Sequence, residues 1–363
     1  EYQYHVTKKL DITPGVKFAY YTIGTQQFAD DGKTIGGLGT NNPNTFVSNG
    51  GSYFATLPSV VGNYRLRSNL SVFAQYAQGS IVPPSSVFDY QQGTTAGTFI
   101  PVQTLPQQQK NTTYETGIVT KLKRVTFDAD YFHIHFDNSY SSFSNQSTGG
   151  EPVFFAQPAS VTQGLEGEAN LYFLHGLSLY LNSSYDKATY TGSQAVSCTS
   201  GSAGCTASTP QLTLNTPSGL NVAQTPSDVE TEGLTYQHSN WDAGFFNKRV
   251  GTEYQDNGAY HNQFTIAPFN ISNLFVNYTL RSGGRLNGTK FRLSFNNLFN
   301  QHSVTGVTLV NGPATQTIAA NGTTYTNPFT TNGQTSINGQ DNVSILAARS
   351  IMLTVTLGTS TKR

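Results

Sequence analysis

Three small groups of residues carry types and spacings that could do chemistry. In QGLEGEANLY, Glu166 and Glu168 stand two residues apart, and Glu115 has a similar setting in TTYETGIV. In an extended chain, residues two apart share a face. Leu165, Gly167, Ala169 and Leu171 fall on the other face, so the two acids belong to a polar one. A carboxylate there is a solvated charge unless something covers it, and a covered acid needs a partner. In YFHIHFD, His133 and His135 are also two apart and could ligate one metal together. No third ligand is spaced nearby, so a histidine satisfied within a strand surface is the plainer reading. Cys198 and Cys205 lie in CTSGSAGC. A disulfide closing this small loop is expected in an oxidising compartment; the alternative is two free thiols. No nucleophile elbow, P-loop or HExxH occurs, and the Ser, His and Asp residues fall in no catalytic order. Neither enzyme activity nor a cofactor is expected.

The elements that carry these residues read almost entirely as strands. Alternation and turn signals mark about thirteen: 2–10, 16–27, 53–66, 70–81, 111–122, 124–138, 152–173, 177–189, 224–237, 241–256, 263–281, 288–302 and 342–358. Their connections alternate in length. DITPG (11–15), RSN (67–69), KR (123–124) and HG (175–176) are tight, whereas 28–52, 82–110, 139–151, 190–223 and 303–341 are long and polar. A soluble sandwich has no reason to alternate in this way. An antiparallel transmembrane β-barrel does, with short periplasmic turns and long extracellular loops.

Composition agrees. Only 11% of the 363 residues are charged and 36% are hydrophobic, against roughly a quarter charged in soluble domains. Aromatic residues reach 12%, and net charge is zero, so nothing points to nucleic acid. No apolar run is long enough for a transmembrane helix. Faces separate cleanly along several strands. Ile351, Leu353, Val355 and Leu357 oppose Met352, Thr354 and Thr356, and Leu274, Val276, Tyr278 and Leu280 oppose Asn273, Asn277 and Thr279. Phe291, Leu293 and Phe295 would meet lipid, with Lys290 and Arg292 toward the lumen. One strand breaks phase: Val125, Phe127, Ala129 and Tyr131 align, but Phe132, Ile134 and Phe136 take the other parity. A β-bulge near Tyr131–Phe132 would restore one apolar face and turn His133 and His135 inward; without it they point outward.

The ordered series LPQQQKNTTYETGI (105–118), VTFDADYFHIHFD (125–137), QGLEGEANLYFLHGLSLYLNSSYDKATY (163–190), TPSDVETEGLTY (225–236), FNISNLFVNYTLR (269–281) and FRLSFNNLFNQHSV (291–304) resembles the C-terminal part of the barrel of TonB-dependent outer-membrane receptors. The resemblance implies about 13 strands of a 22-strand barrel, closed around a plug domain. Residues 1–363 would then be a C-terminal portion, with the plug and first strands outside it. The opening EYQYHVTKKL is already strand-like and fits that expectation. It further implies import of a scarce nutrient, most readily a ferric siderophore, with energy delivered through TonB. The partners would be that ligand, TonB, the receptor's own plug and outer-membrane lipid. Glu115, Glu166 and Glu168 would face the plug. The ending LTVTLGTSTKR departs from the family's usual terminal aromatic, with Leu357 in its place. Long loops rich in Gln, Asn, Thr, Tyr and Phe suit an aryl-bearing siderophore or a glycan, and their few basic residues argue against a strongly anionic ligand. Uptake of a glycan or other nutrient, a passive porin, and an adhesive surface β protein remain alternatives. NNLFN (296–300) is expected to mark position in the barrel rather than to bind or catalyse.

Overall fold

The computed structural model describes residues 2–27, 47–88, 91–92, 99–100, 106–144, 152–192, 194–197, 213–216, 218–255, 264–282, 284, 286–308, 317–320, 323–326 and 342–358. Thirteen strands form one antiparallel sheet in chain order: β1 Tyr4–His5, β2 Leu10–Gln27, β3 Val47–Arg67, β4 Leu70–Ile81, β5 Gln109–Lys121, β6 Val125–Asp137, β7 Ser160–Tyr172, β8 Leu177–Tyr190, β9 Asp228–His238, β10 Trp241–Val250, β11 Phe269–Thr279, β12 Lys290–Asn296 and β13 Ser350–Thr356. Each strand pairs with the next, and β1 does not pair with β13, so the sheet is open.

The alternation seen in the sequence becomes two faces. Phe18 and Tyr20 of β2, Leu165 of β7 and Leu353 of β13 project from one face at 65%, 68%, 61% and 67% exposure. A soluble monomer does not leave so continuous an apolar surface in water. Aromatic pairs lie along it: Trp241 packs on Tyr278 at 4.8 Å beside a tight turn, and Tyr76 on Tyr114 at 5.3 Å in mid-strand, between ring centres. The opposite face is polar, with little packed core.

Several expected boundaries move. The first turn is not DITPG but residues 6–9, where Thr7 Oγ1 accepts from the Lys9 and Leu10 amides. Asp11–Gly15 lies within β2. Pro14 lies opposite Val60 in the unbroken β2–β3 ladder. The expected long strands 152–173, 241–256, 263–281 and 342–358 each divide. Their outer parts pair separately, as in Pro152–Ala156 with Tyr140–Ser144 and Glu253–Gln255 with Phe264–Ile266. Pro158 and Pro268 stand at two of these breaks, where a missing N–H interrupts the ladder. The HG turn holds: His175 and Gly176 have φ of 65° and 82°, and a Cβ on Gly176 would collide with the Gln237 carbonyl.

The bulge at Tyr131–Phe132 is absent. Register runs unbroken on both sides of β6. Phe132 keeps strict alternation by lying on the polar face over Gly164. Phe73 over Gly117, Phe246 over Gly233 and Phe275 over Gly244 repeat the arrangement. An aromatic ring settles on bare neighbouring backbone, so it need not join the apolar face.

NNLFN proves to be a tie. Asn297 is 2% exposed with φ 48°. Its side chain donates to the Gln301 and Ala347 carbonyls at 2.9 and 2.8 Å and accepts from the Gln301 amide at 2.8 Å. Its own amide donates to Asn273 Oδ1 at 3.0 Å, and Asn300 Oδ1 accepts from the Arg349 amide at 2.9 Å. Both stems of the last long connection are thereby fixed to β11 and β13.

Candidate functional site

Strand register gathers the acids. Glu115 of β5 lies opposite Phe132 of β6, Asp130 opposite Glu166, and Asp128 opposite Glu168. Gly164 lies opposite Asp186 of β8. Because opposed residues share a face, Glu115, Asp128, Asp130, Glu166, Glu168 and Asp186 all stand on the polar face. Glu115, Glu166 and Glu168 thus share that face, carried by β5 and β7 on either side of β6. Asp128, Asp130 and Asp186 were missed, although the DAD spacing of 128–130 carries the same two-residue period as Glu166 and Glu168.

These carboxylates are only partly satisfied within the chain. Glu168 accepts from Asn170 Nδ2 at 3.0 Å and Tyr180 Oη at 3.1 Å, and Asp186 accepts from Ser184 Oγ at 2.8 Å. Among the described residues, the ion pairs are His5–Asp11, His135–Asp137 and Arg249–Asp228, none of which involves the six. Two pairs of like charges face each other directly across strands, which destabilises the wall by about 0.2–1 kcal/mol each. The arrangement is suited to receive cationic groups from outside the sheet.

Further along the same face, β10–β12 carry another chemistry. Phe246 and Phe275 stack at 6.3 Å with 16° between planes, and the Arg292 guanidinium sits 4.7 Å above the Phe275 ring. Arg292 Nε donates to Ser294 Oγ at 3.1 Å. Asn277, opposite Arg292, is 2% exposed and donates to Asp242 at 2.8 Å. Its Oδ1 is buried without a hydrogen-bond partner.

The histidines do not converge. His133 and His135 lie on the apolar side, the outcome expected without a bulge. His133 Nδ1 meets Gln163 Oε1 at 3.2 Å, and His135 Nε2 meets Asp137 at 3.2 Å. Among the described residues, no group of three or more His, Cys, Asp or Glu could hold a metal. Cys198 and Cys205 lie outside the described residues.

At the long-connection end, Phe88 and residues 106–108 lie against β3. Phe88, 1% exposed, packs on Tyr53, whose hydroxyl donates to the Pro106 carbonyl at 2.7 Å. Tyr140 donates to the Gln107 carbonyl at 2.8 Å. Burial raises the Tyr140 pKa above its ordinary value, so it stays a neutral donor.

An open antiparallel sheet with one lipid-compatible face, one wet charged face and alternating connection lengths defines a segment of outer-membrane barrel wall. The family model for the β-barrel of TonB-dependent receptor-like proteins matches residues 1–300, and the chain belongs to that family. Solved structures agree on the fold. The ferric yersiniabactin uptake receptor FyuA from Yersinia pestis aligns with TM-score 0.61 and 16% identity over 96% of this chain and 43% of that one. The siderophore receptor PiuA from Acinetobacter baumannii gives 0.64 and 12% over 97% and 41%. The ferric citrate transporter FecA gives 0.57 and 18% over 96% and 42%. The chain thus spans under half the length of these receptors. No curated protein matches it in sequence.

Proposed function

We propose that the protein is the wall of an outer-membrane receptor that imports a scarce nutrient, a ferric siderophore before other cargo, with energy supplied through TonB. The observation that carries this reading is the thirteen-strand wall of the receptor family with a charged, incompletely paired inner face. Neighbours of this fold include receptors for ferric yersiniabactin and ferric citrate. On this reading, Glu115, Glu166 and Glu168, joined by Asp128 and Asp130, face a plug domain and pair with its basic residues. The wall needs no cofactor of its own, and its chemistry is binding rather than catalysis.

The test is uptake of radioactive iron by iron-starved cells carrying or lacking the gene, with and without TonB. Loss of uptake on deleting either gene supports the reading. Unchanged iron uptake with lost growth on an oligosaccharide would favour glycan import by the same fold, a reading that the Asn-, Gln- and aromatic-rich outer connections support. Uptake that persists without TonB would point to a passive pore.

A further inference from the structure

On that receptor reading, we infer that Arg292 is a docking point for a carboxylate on the inner wall, near its periplasmic end. The position follows from the chain. Arg292 is the third residue of β12, just after the short 280–289 connection. It therefore stands closer to that connection than to the long one that begins after Asn296.

The side chain is prepared for an anion. Its guanidinium carbon sits 4.7 Å from the Phe275 ring centre, and Phe275 in turn lies over Gly244, so the group is held against the wall. Ser294 fixes the Nε edge, which leaves the two terminal nitrogens as a fork of donors. Such a fork matches the two oxygens of a carboxylate. Among the described residues, no carboxylate lies within ion-pair distance of Arg292. Asp242, the acid on the same row two strands away, is engaged by Asn277. Lys290, two residues along β12, projects from the same face and adds a second positive charge. An arginine stacked and steered in this way, with its fork unmet, is built for a group that arrives from outside the sheet.

A carboxylate can come from two sources: an acidic side chain of the segment that fills the barrel, or a carboxylate-bearing ligand on its way out. Arginine modification of the purified full-length protein by phenylglyoxal, read by mass spectrometry, distinguishes them. Arg281, exposed at the adjoining turn, is the internal control. If the filling segment supplies the group, Arg292 reacts about tenfold more slowly than Arg281 without additive, as a charge-assisted contact of about 1.4 kcal/mol gives. That protection falls in molar salt. If a ligand supplies it, Arg292 reacts like Arg281 until citrate is added and is then protected to a similar degree, whereas acetamide gives no protection. Equal reactivity of the two arginines with and without citrate overturns the inference, and so does protection insensitive to salt, which marks simple shielding. Either contrary result would leave iron uptake, and with it the receptor reading, unaffected.

Discussion

The inner faces of β5–β8 and of β10–β12 arise from the same two-residue alternation, yet their chemistry is opposed. The first sets acids directly across from acids, Asp130 against Glu166 and Asp128 against Glu168. The second layers Phe246, Phe275 and Arg292 on glycine backbone and engages Asp242 through Asn277. The acidic stretch sets like charges against each other with no ion pair among the described residues, and on the proposed reading the plug supplies the cations. The aromatic stretch is packed within itself and offers one guanidinium fork. Alternation thus decides which face a residue takes, and the neighbouring strand decides whether it is satisfied there.

The comparison presumes that both stretches face a lumen, and the largest expected effect tests this. Leu353→Arg, on the lipid side, should cost about 2–4 kcal/mol in a bilayer, whereas Thr354→Arg beside it, on the lumen side, should cost far less. Urea unfolding from vesicles measures both, and equal costs would dissolve the distinction of faces. Next comes Gly244→Leu, whose side chain would enter the Phe275 and Phe246 rings. Overpacking predicts a loss of about 1–3 kcal/mol, while Glu166→Leu in the acidic stretch should be neutral or stabilising. A similar loss at both positions would mean that the acidic stretch is packed after all. The smallest effect is Asp130→Asn. In this chain alone it should stabilise by about 0.2–1 kcal/mol by relieving the repulsion from Glu166, and molar salt should erase the gain. Separately, mass spectrometry without reductant should show Cys198 linked to Cys205, and two free thiols would remove that loop tie.

Much of this architecture was legible in the residues. Period-two patterning placed the thirteen wall strands because a lipid-facing wall cannot relax its alternation over so many positions. Glu166 and Glu168 were found because flanking Leu165 and Leu171 declared the opposite face. Where local signals competed with pairing, pairing prevailed. The Pro14–Gly15 dipeptide suggests a turn, but pairing with Val60 and Ser59 of β3 carries β2 straight through it. Phe132 suggested a bulge because aromatic residues are expected outside, and Gly164 gives it a seat inside. Asp128 and Asp130 fall on the polar face with or without that bulge, and their two-residue period was the available signal. The tie at Asn297 could not be read in advance, since its partners at Asn273 and Ala347 are distant in sequence and meet only when β11, β12 and β13 assemble.

The central claim is that the acidic wall faces a plug of the same protein. Carbodiimide coupling of the full-length receptor in outer membranes tests it directly, because it joins carboxylates to amines already in contact. The account predicts cross-linked peptides between Glu115, Glu166 or Glu168 and lysines of a segment preceding Glu1. If these carboxylates instead couple only to an added soluble amine and never to the protein's own lysines, the acidic wall faces water and the account is wrong.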